Sequence, residues 1–226
     1  MSPVVVLFAL EREVAPFRRL MGRDGTPDLV HCGVGPASAG RALDALLPSR
    51  PGLVLLAGFS GALAPDLGVG RLVVADAVLG PDGATYPVTH PLTVPGAIAG
   101  PIVATERIVG TAAAKRELFA RTKALAVDME SATVARRCAE VGVPFACLRV
   151  ISDDAANDLP PELDGIFADG RPRVGRVLVA VCRRPGLLWQ LLALRRATRR
   201  AAEALAQGLR QALSAPRPGL GLPAGG

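Results

Sequence analysis

Three close pairs of carboxylates stand where chemistry could be done: Glu11 and Glu13, Asp128 and Glu130, Asp153 and Asp154. Each sits at or just past the end of an apolar run. Carboxylates gathered in one cleft can hand a proton to a leaving group when burial raises the pKa, or act as a base. Each also has a plain role, because acidic residues favour helix N-termini and Asp or Ser caps them. Two glycine runs, Gly33-Val34-Gly35-Pro36 and Gly58-Phe59-Ser60-Gly61, follow two further apolar runs. They read as turns, and neither is a G-x-G-x-x-G fingerprint.

The elements that must position these groups alternate. Strands are predicted over Val4–Ala9, Asp28–Cys32, Leu53–Ala57, Leu72–Val78, Pro101–Ala104, Leu125–Met129 and Pro144–Ile151. Helices are predicted over Glu11–Leu20, Ala37–Leu47 and Ser131–Val141. Near-continuous apolar strands separated by helices mean an α/β fold, a three-layer α/β/α sandwich around a mostly parallel, mixed sheet. In such sheets ligands bind beyond the carboxyl ends of the strands, so the three carboxylate pairs converge if their strands are neighbours. Gly80–Gly100, rich in Gly, Pro and Thr, reads as a long loop with an edge strand.

The 226 residues suffice for one domain, predicted over 1–213, with a Pro/Gly-rich tail over 214–226 expected to be disordered. The formal charge is +6, carried almost wholly by Arg and concentrated after Arg171. Residues 183–213 read as a basic amphipathic helix. Its apolar block around Trp189, flanked by arginine pairs, packs on the sheet, lies in an anionic bilayer interface or pairs with the same helix of a second copy. Cys32, Cys138, Cys147 and Cys182 form no C-x-x-C pair and have apolar neighbours, so buried free thiols and a reducing cytoplasm are expected. The run Val4–Leu10 leads straight into Glu11 and reads as a buried strand rather than a signal peptide. One Tyr and one Trp leave little for base stacking, so nucleic acid is not the expected partner.

Taken in order, ALEREV, CGVGPASAG, LAGFSGALAPDLGVGRLVVAD, AVDMESATVA and LRVISDDA resemble the nucleoside phosphorylase and methylthioadenosine/adenosylhomocysteine nucleosidase superfamily over residues 3–155. AVDMES and RVISD are the most specific parts. The segments LPPELDGIFADGRPRVG and RRPGLLWQLLALRR resemble its hopanoid-associated phosphorylase branch. The resemblance implies cleavage of the N-glycosidic bond of an adenosine-type nucleoside with release of adenine. At its most specific it implies phosphorolysis of adenosylhopane in hopanoid synthesis at the inner membrane face. No metal and no organic cofactor is implied, phosphate stays open as a co-substrate, and a homo-oligomer is expected.

The same resemblance implies roles residue by residue. Asp153 would be the acid that protonates N7 of the leaving purine, and its place after a buried strand would help keep it protonated. Asp154 competes with it. Glu130 would grip the ribose hydroxyls, with Met129 against the sugar. Glu13 would orient or deprotonate an attacking water, and Glu11 lies close enough to be confused with it. Gly35, Gly58, Phe59, Ser60 and Gly61 would frame the substrate, with Ile108 beside the base. Two departures matter. Phe59 stands where relatives carry Ser or Thr, and Ile108 lies where nucleosidases carry an aromatic. No phosphate clamp is evident, so water and phosphate both stay open as nucleophile. A soluble methylthioadenosine/adenosylhomocysteine nucleosidase, a nucleoside-binding protein without turnover and a membrane-interface protein are the rival readings.

Overall fold

The computed structural model describes residues 3–22, 27–160 and 187–214. In chain order its elements are β1 (Val4–Phe8), α1 (Glu11–Met21), β2 (Asp28–His31), α2 (Pro36–Leu46), β3 (Leu53–Ala62) and β4 (Leu72–Leu79). There follow β5 (Thr85–Pro87), β6 (Ile98–Ala104), α3 (Ala112–Thr122), β7 (Ala126–Asp128), α4 (Ser131–Val141), β8 (Phe145–Asp153) and α5 (Leu187–Ser214). Cys182 and the predicted tail from residue 215 lie outside the described residues.

β1 is apolar and buried at every position, as a strand covered on both faces must be. It pairs in parallel with β2 on one side and β3 on the other. From β3 the sheet turns back on itself. β3 pairs in parallel with β8, β8 antiparallel with β4, β4 in parallel with β6, and β6 in parallel with β7. β7 then returns antiparallel to Gly61 and Ala62 at the end of β3. The expected mixed, mostly parallel sheet is present, and part of it closes into a ring of five strands.

The length of β3 makes that closure. Gly58–Gly61, expected as a turn after Ala57, lies inside the strand, which continues to Ala62. Both edges of the extended strand find partners, and the register with β8 shifts between Ser60 and Gly61. Such an irregularity bends a strand and re-aims its side chains.

Helices cover both faces. Ala39 and Leu43 of α2 and Val134, Ala135 and Cys138 of α4 pack in one buried cluster with Leu7, Leu56 and Cys147. On the other face Val14 and Phe17 of α1 meet Ala201, Leu205 and Leu209 of α5 over Leu55 and Leu148. The 201/205/209 spacing puts three residues on one helical face. Each fully buried Leu or Phe here contributes about 1.5–3 kcal/mol relative to exposure. The second half of α5 therefore packs on the core, while Arg195, Arg196, Arg199 and Arg200 stay exposed. No described helix is long and apolar enough to cross a membrane.

Candidate active site

α1 starts at Glu11, and its N-cap, Leu10, has no side chain that can cap. Glu13 supplies the missing acceptor: its Oε2 takes the backbone N–H of Ala9 at 2.9 Å and of Leu10 at 2.8 Å. Its Oε1 takes the N–H of Phe59 at 2.9 Å. One carboxylate thus ties the first helix to β3. Glu13 is 2% exposed, and burial pushes its pKa above the usual carboxylate value despite these three N–H donors and Arg149. Glu11 is settled differently, exposed and paired with Arg18.

Arg149 lies in the middle of β8 with no exposure at all. It pairs with Asp128 at the end of β7 and lies 3.5 Å from Oε2 of Glu130. Asp128 Oδ1 also caps α4, accepting from the N–H and hydroxyl of Ser131 at 3.2 and 2.7 Å. Glu130 Oε1 accepts the N–H of Gly35 at 2.7 Å. Burial alone would disfavour the charge on Arg149, but the surrounding acids, Asp128 foremost, more than reverse this and raise its pKa. Nε and Nη1 of Arg149 have no hydrogen-bond partner among the described residues. Gly58 explains part of that space: a Cβ there would lie 2.6 Å from Arg149 Nη1 and 2.9 Å from Glu13 Oε1. Burial, reinforced by Asp128 and Glu13 and opposed by Arg149 and Gly35, lifts Glu130 from 4.5 to about 7.

Asp153 ends β8 and behaves otherwise. Its Oδ2 lies 2.7 Å from Nζ of Lys115 on α3, and its Oδ1 accepts the hydroxyl of Ser152 at 2.8 Å. An ammonium ion, rather than the desolvating wall that strand burial led us to expect, is its main partner. Gly61 makes room for it, since a Cβ there would come within 3.0 Å of Asp153 Oδ2. Asp154 turns into the following loop, accepting from the N–H groups of Ala156 and Asn157 at 3.1 and 2.9 Å. It structures that loop.

A cavity of about 890 Å³ opens over these groups. Glu13, Asp128, Glu130 and Asp153 line it together with Phe59, Ser60, Gly61, Ile108 and Met129. Gly35 and Gly58, also expected at the substrate, are buried beside Glu130 and beneath Glu13 instead. Two residues that sequence reasoning missed, Arg149 and Lys115, are the cations behind the carboxylates. The described residues hold no group of three or more His, Cys, Asp and Glu placed for a metal ion. The thiols of Cys32, Cys138 and Cys147 are free, and burial pushes each up to about 12, so they are inert at neutral pH.

Known proteins resemble the chain in sequence and in fold. The chain is 36% identical over 156 residues to a futalosine hydrolase from Streptomyces coelicolor, a match covering 56% of this chain and 66% of that protein. It is 31% identical over 175 residues to an AMP nucleosidase from Escherichia coli, covering 64% of this chain and 36% of the relative. The chain thus spans about two thirds of the first relative and about a third of the second. In fold it matches a 5'-methylthioadenosine/S-adenosylhomocysteine nucleosidase from Helicobacter pylori with TM-score 0.69 at 19% identity, over 94% of this chain and 98% of that one. A futalosine hydrolase from the same organism matches with TM-score 0.68 at 18% identity, over 93% and 96% of the two chains. The family model described as the phosphorylase superfamily matches residues 10–99 and 96–183, most of the sequence, and the chain belongs to that superfamily.

Proposed function

We propose that the chain hydrolyses the N-glycosidic bond of an adenosine-type nucleoside and releases the purine. The observation that carries this reading is the pairing of two unlike carboxylate centres in one cavity. Cleaving the bond builds positive charge on the sugar and negative charge on the base. The Glu13–Asp128–Glu130 end is rich in negative charge and suits the sugar. The Asp153 end, with an ammonium ion behind the carboxylate, suits a base that needs a proton.

Each side chain then has a task. Glu130 accepts from the ribose hydroxyls, and Met129 packs against the sugar. Asp153 passes a proton to N7 of the base as the C1'–N9 electron pair leaves with it. Water adds to C1', and Glu13 takes its proton. Water suits this end better than phosphate, because three carboxylates outnumber the two guanidinium groups there, Arg149 and, beside Glu13, Arg12, and a phosphate anion would meet like charge. The two sequence relatives are a futalosine hydrolase and an AMP nucleosidase, which accords with that choice.

The finer substrate we propose is adenosylhopane, suggested by the sequence resemblance. The cavity supports an extended substituent on the ribose: it is near the upper end of the roughly 300–1,000 Å³ usual for small-molecule sites. Its lining extends to Leu10, Pro16 and Arg19 on one side and to Leu194 and Arg195 of α5 on the other, and both arginines are exposed. Those arginines suit the phosphates of an anionic membrane face. The test is adenine release from adenosylhopane and from methylthioadenosine, with and without phosphate. Free ribosyl product without phosphate is expected, and Asp153→Asn should lower the rate about 10²–10⁴-fold. A ribosyl 1-phosphate product would overturn hydrolysis. No adenine from either nucleoside, where binding is demonstrated, would leave a binding protein.

A further inference from the structure

Lys115 is one of two lysines in the chain, and its side chain is 0% exposed. Its Nζ donates to Asp153 Oδ2 at 2.7 Å, to the carbonyl of Asp154 at 2.6 Å and to that of Asn157 at 3.5 Å. An ammonium ion is buried this completely only when paired and hydrogen-bonded. Its one ion-pair partner among the described residues is the carboxylate at the base end of the cavity, with Asp154 acting on it from farther off. Thr111 caps α3 through the N–H of Ala114 and fixes the first turn that carries Lys115. The two neutral acceptors tie the same ammonium to the loop after β8. The arrangement sets the one cation that can give up a proton directly behind the group that must deliver one.

We propose that Lys115 is the proton reservoir for the leaving base, a positioning residue that holds Asp153 and sends its proton through that carboxyl group. The inference rests on the glycosidic cleavage proposed above. As the C1'–N9 bond breaks, its electron pair goes to the purine. A proton crosses from Lys115 Nζ to Asp153 Oδ2, and the carboxyl group gives a proton to N7. The water oxygen bonds to C1', and the proton that it loses goes to Glu13. Asp153 ends as a carboxylate and Lys115 as a neutral amine. After product release Glu13 returns its proton to solvent and Lys115 takes one up.

Lys115→Met removes both charge and proton, whereas Lys115→Arg keeps the charge on a group that does not give up its proton in proteins. Two leaving groups separate the roles: a purine, which needs protonation, and 4-nitrophenolate from a 4-nitrophenyl riboside, which leaves as a stable anion. With an adenine nucleoside, kcat should fall about 10²–10⁴-fold in both variants, with KM within a few-fold of wild type. With the nitrophenyl riboside, both variants should stay within about threefold of wild type. Thermal melting checks that each variant folds. Wild-type kcat on the nucleoside in Lys115→Arg would overturn the proposal, leaving Lys115 a fixed charge only. Equal losses on both leaving groups would also overturn it, leaving a structural staple. A wild-type protein that releases no base from any nucleoside would instead sink the underlying reading of function.

Discussion

The two ends of the cavity solve the problem of buried charge differently. At one end Glu13, Asp128 and Glu130 surround Arg149, with Arg12 beside Glu13, so acid still exceeds base and burial lifts Glu13 and Glu130 above their ordinary values. At the other end Asp153 and Lys115 form a single ion pair, with the more exposed Asp154 acting on the same ammonium from farther off. Exposure differs as well: the Asp128 and Glu130 side chains are 1% and 6% exposed, and that of Asp153 is 15%. A crowded, dry set of carboxylates can grip hydroxyls and draw a proton from water. A balanced pair nearer solvent can give a proton and recover it. The division of labour proposed above is therefore also a division of electrostatic design, and each part of it can be broken separately.

Removing the cation at the crowded end should do the most damage. Arg149→Met leaves buried Asp128 and Glu130 without their cation, and breaking a buried pair typically costs about 3–5 kcal/mol. Lys115→Met strands one carboxylate that water can reach and should cost distinctly less. Urea unfolding of the two variants makes the comparison directly. Equal losses would show that the two ends are not electrostatically distinct.

The next effect belongs to Gly58. Its α-hydrogen faces Arg149 Nη1 and Glu13 Oε1, both within 3 Å of where a Cβ would stand. Gly58→Ala must move one of them, and overpacking of this kind costs about 1–3 kcal/mol. Because it displaces the proposed base and its neighbouring cation, adenine release should fall at least tenfold even where the fold survives. Gly68, with nothing within 4 Å of its own would-be Cβ, is the control, and Gly68→Ala should match wild type. A Gly58→Ala protein with full activity would show that the space beneath Glu13 is not part of the site.

What the sequence disclosed follows from these contrasts. β1, α4 and β8 were legible because apolar runs and 3.6-residue spacing are local signals, and Glu13, Glu130 and Asp153 lie where those runs stop. The continuation of β3 through Gly58–Gly61 was not, since glycines read as turns until partners on both edges are known. The two cations were missed for opposite reasons. Arg149 sits inside the apolar run of β8, where a charge looks like an interruption, and only strands far away in sequence supply its acids. Lys115 lies on α3, a helix that the pattern analysis passed over although Thr111 and the alanines after it carry a start signal. Acidic residues announced the site because they cluster at strand ends. Their counter-ions arrive through tertiary packing, which spacing along the chain does not reveal.

The subtlest consequence of the imbalance is a pH dependence confined to one end. Glu130 has an ordinary value of 4.5 and is lifted to about 7 in the fold, by burial first and then by Asp128 and Glu13. A carboxyl group raised on folding binds its proton more tightly when folded than when unfolded. Its contribution to stability is therefore complete below about pH 4.5 and is lost as pH rises through about 7. Glu130→Gln is neutral throughout and lacks this loss. The melting temperature of wild type should thus fall relative to Glu130→Gln between those two pH values, by about 2–4 °C for each kcal/mol lost in a chain of this size. Some slope should persist in the variant, because Glu13 is raised in the same direction and the acids titrate as a set. Parallel melting curves for wild type and Glu130→Gln would mean that Arg149 neutralises all three carboxylates, and the two ends would then differ in geometry but not in charge.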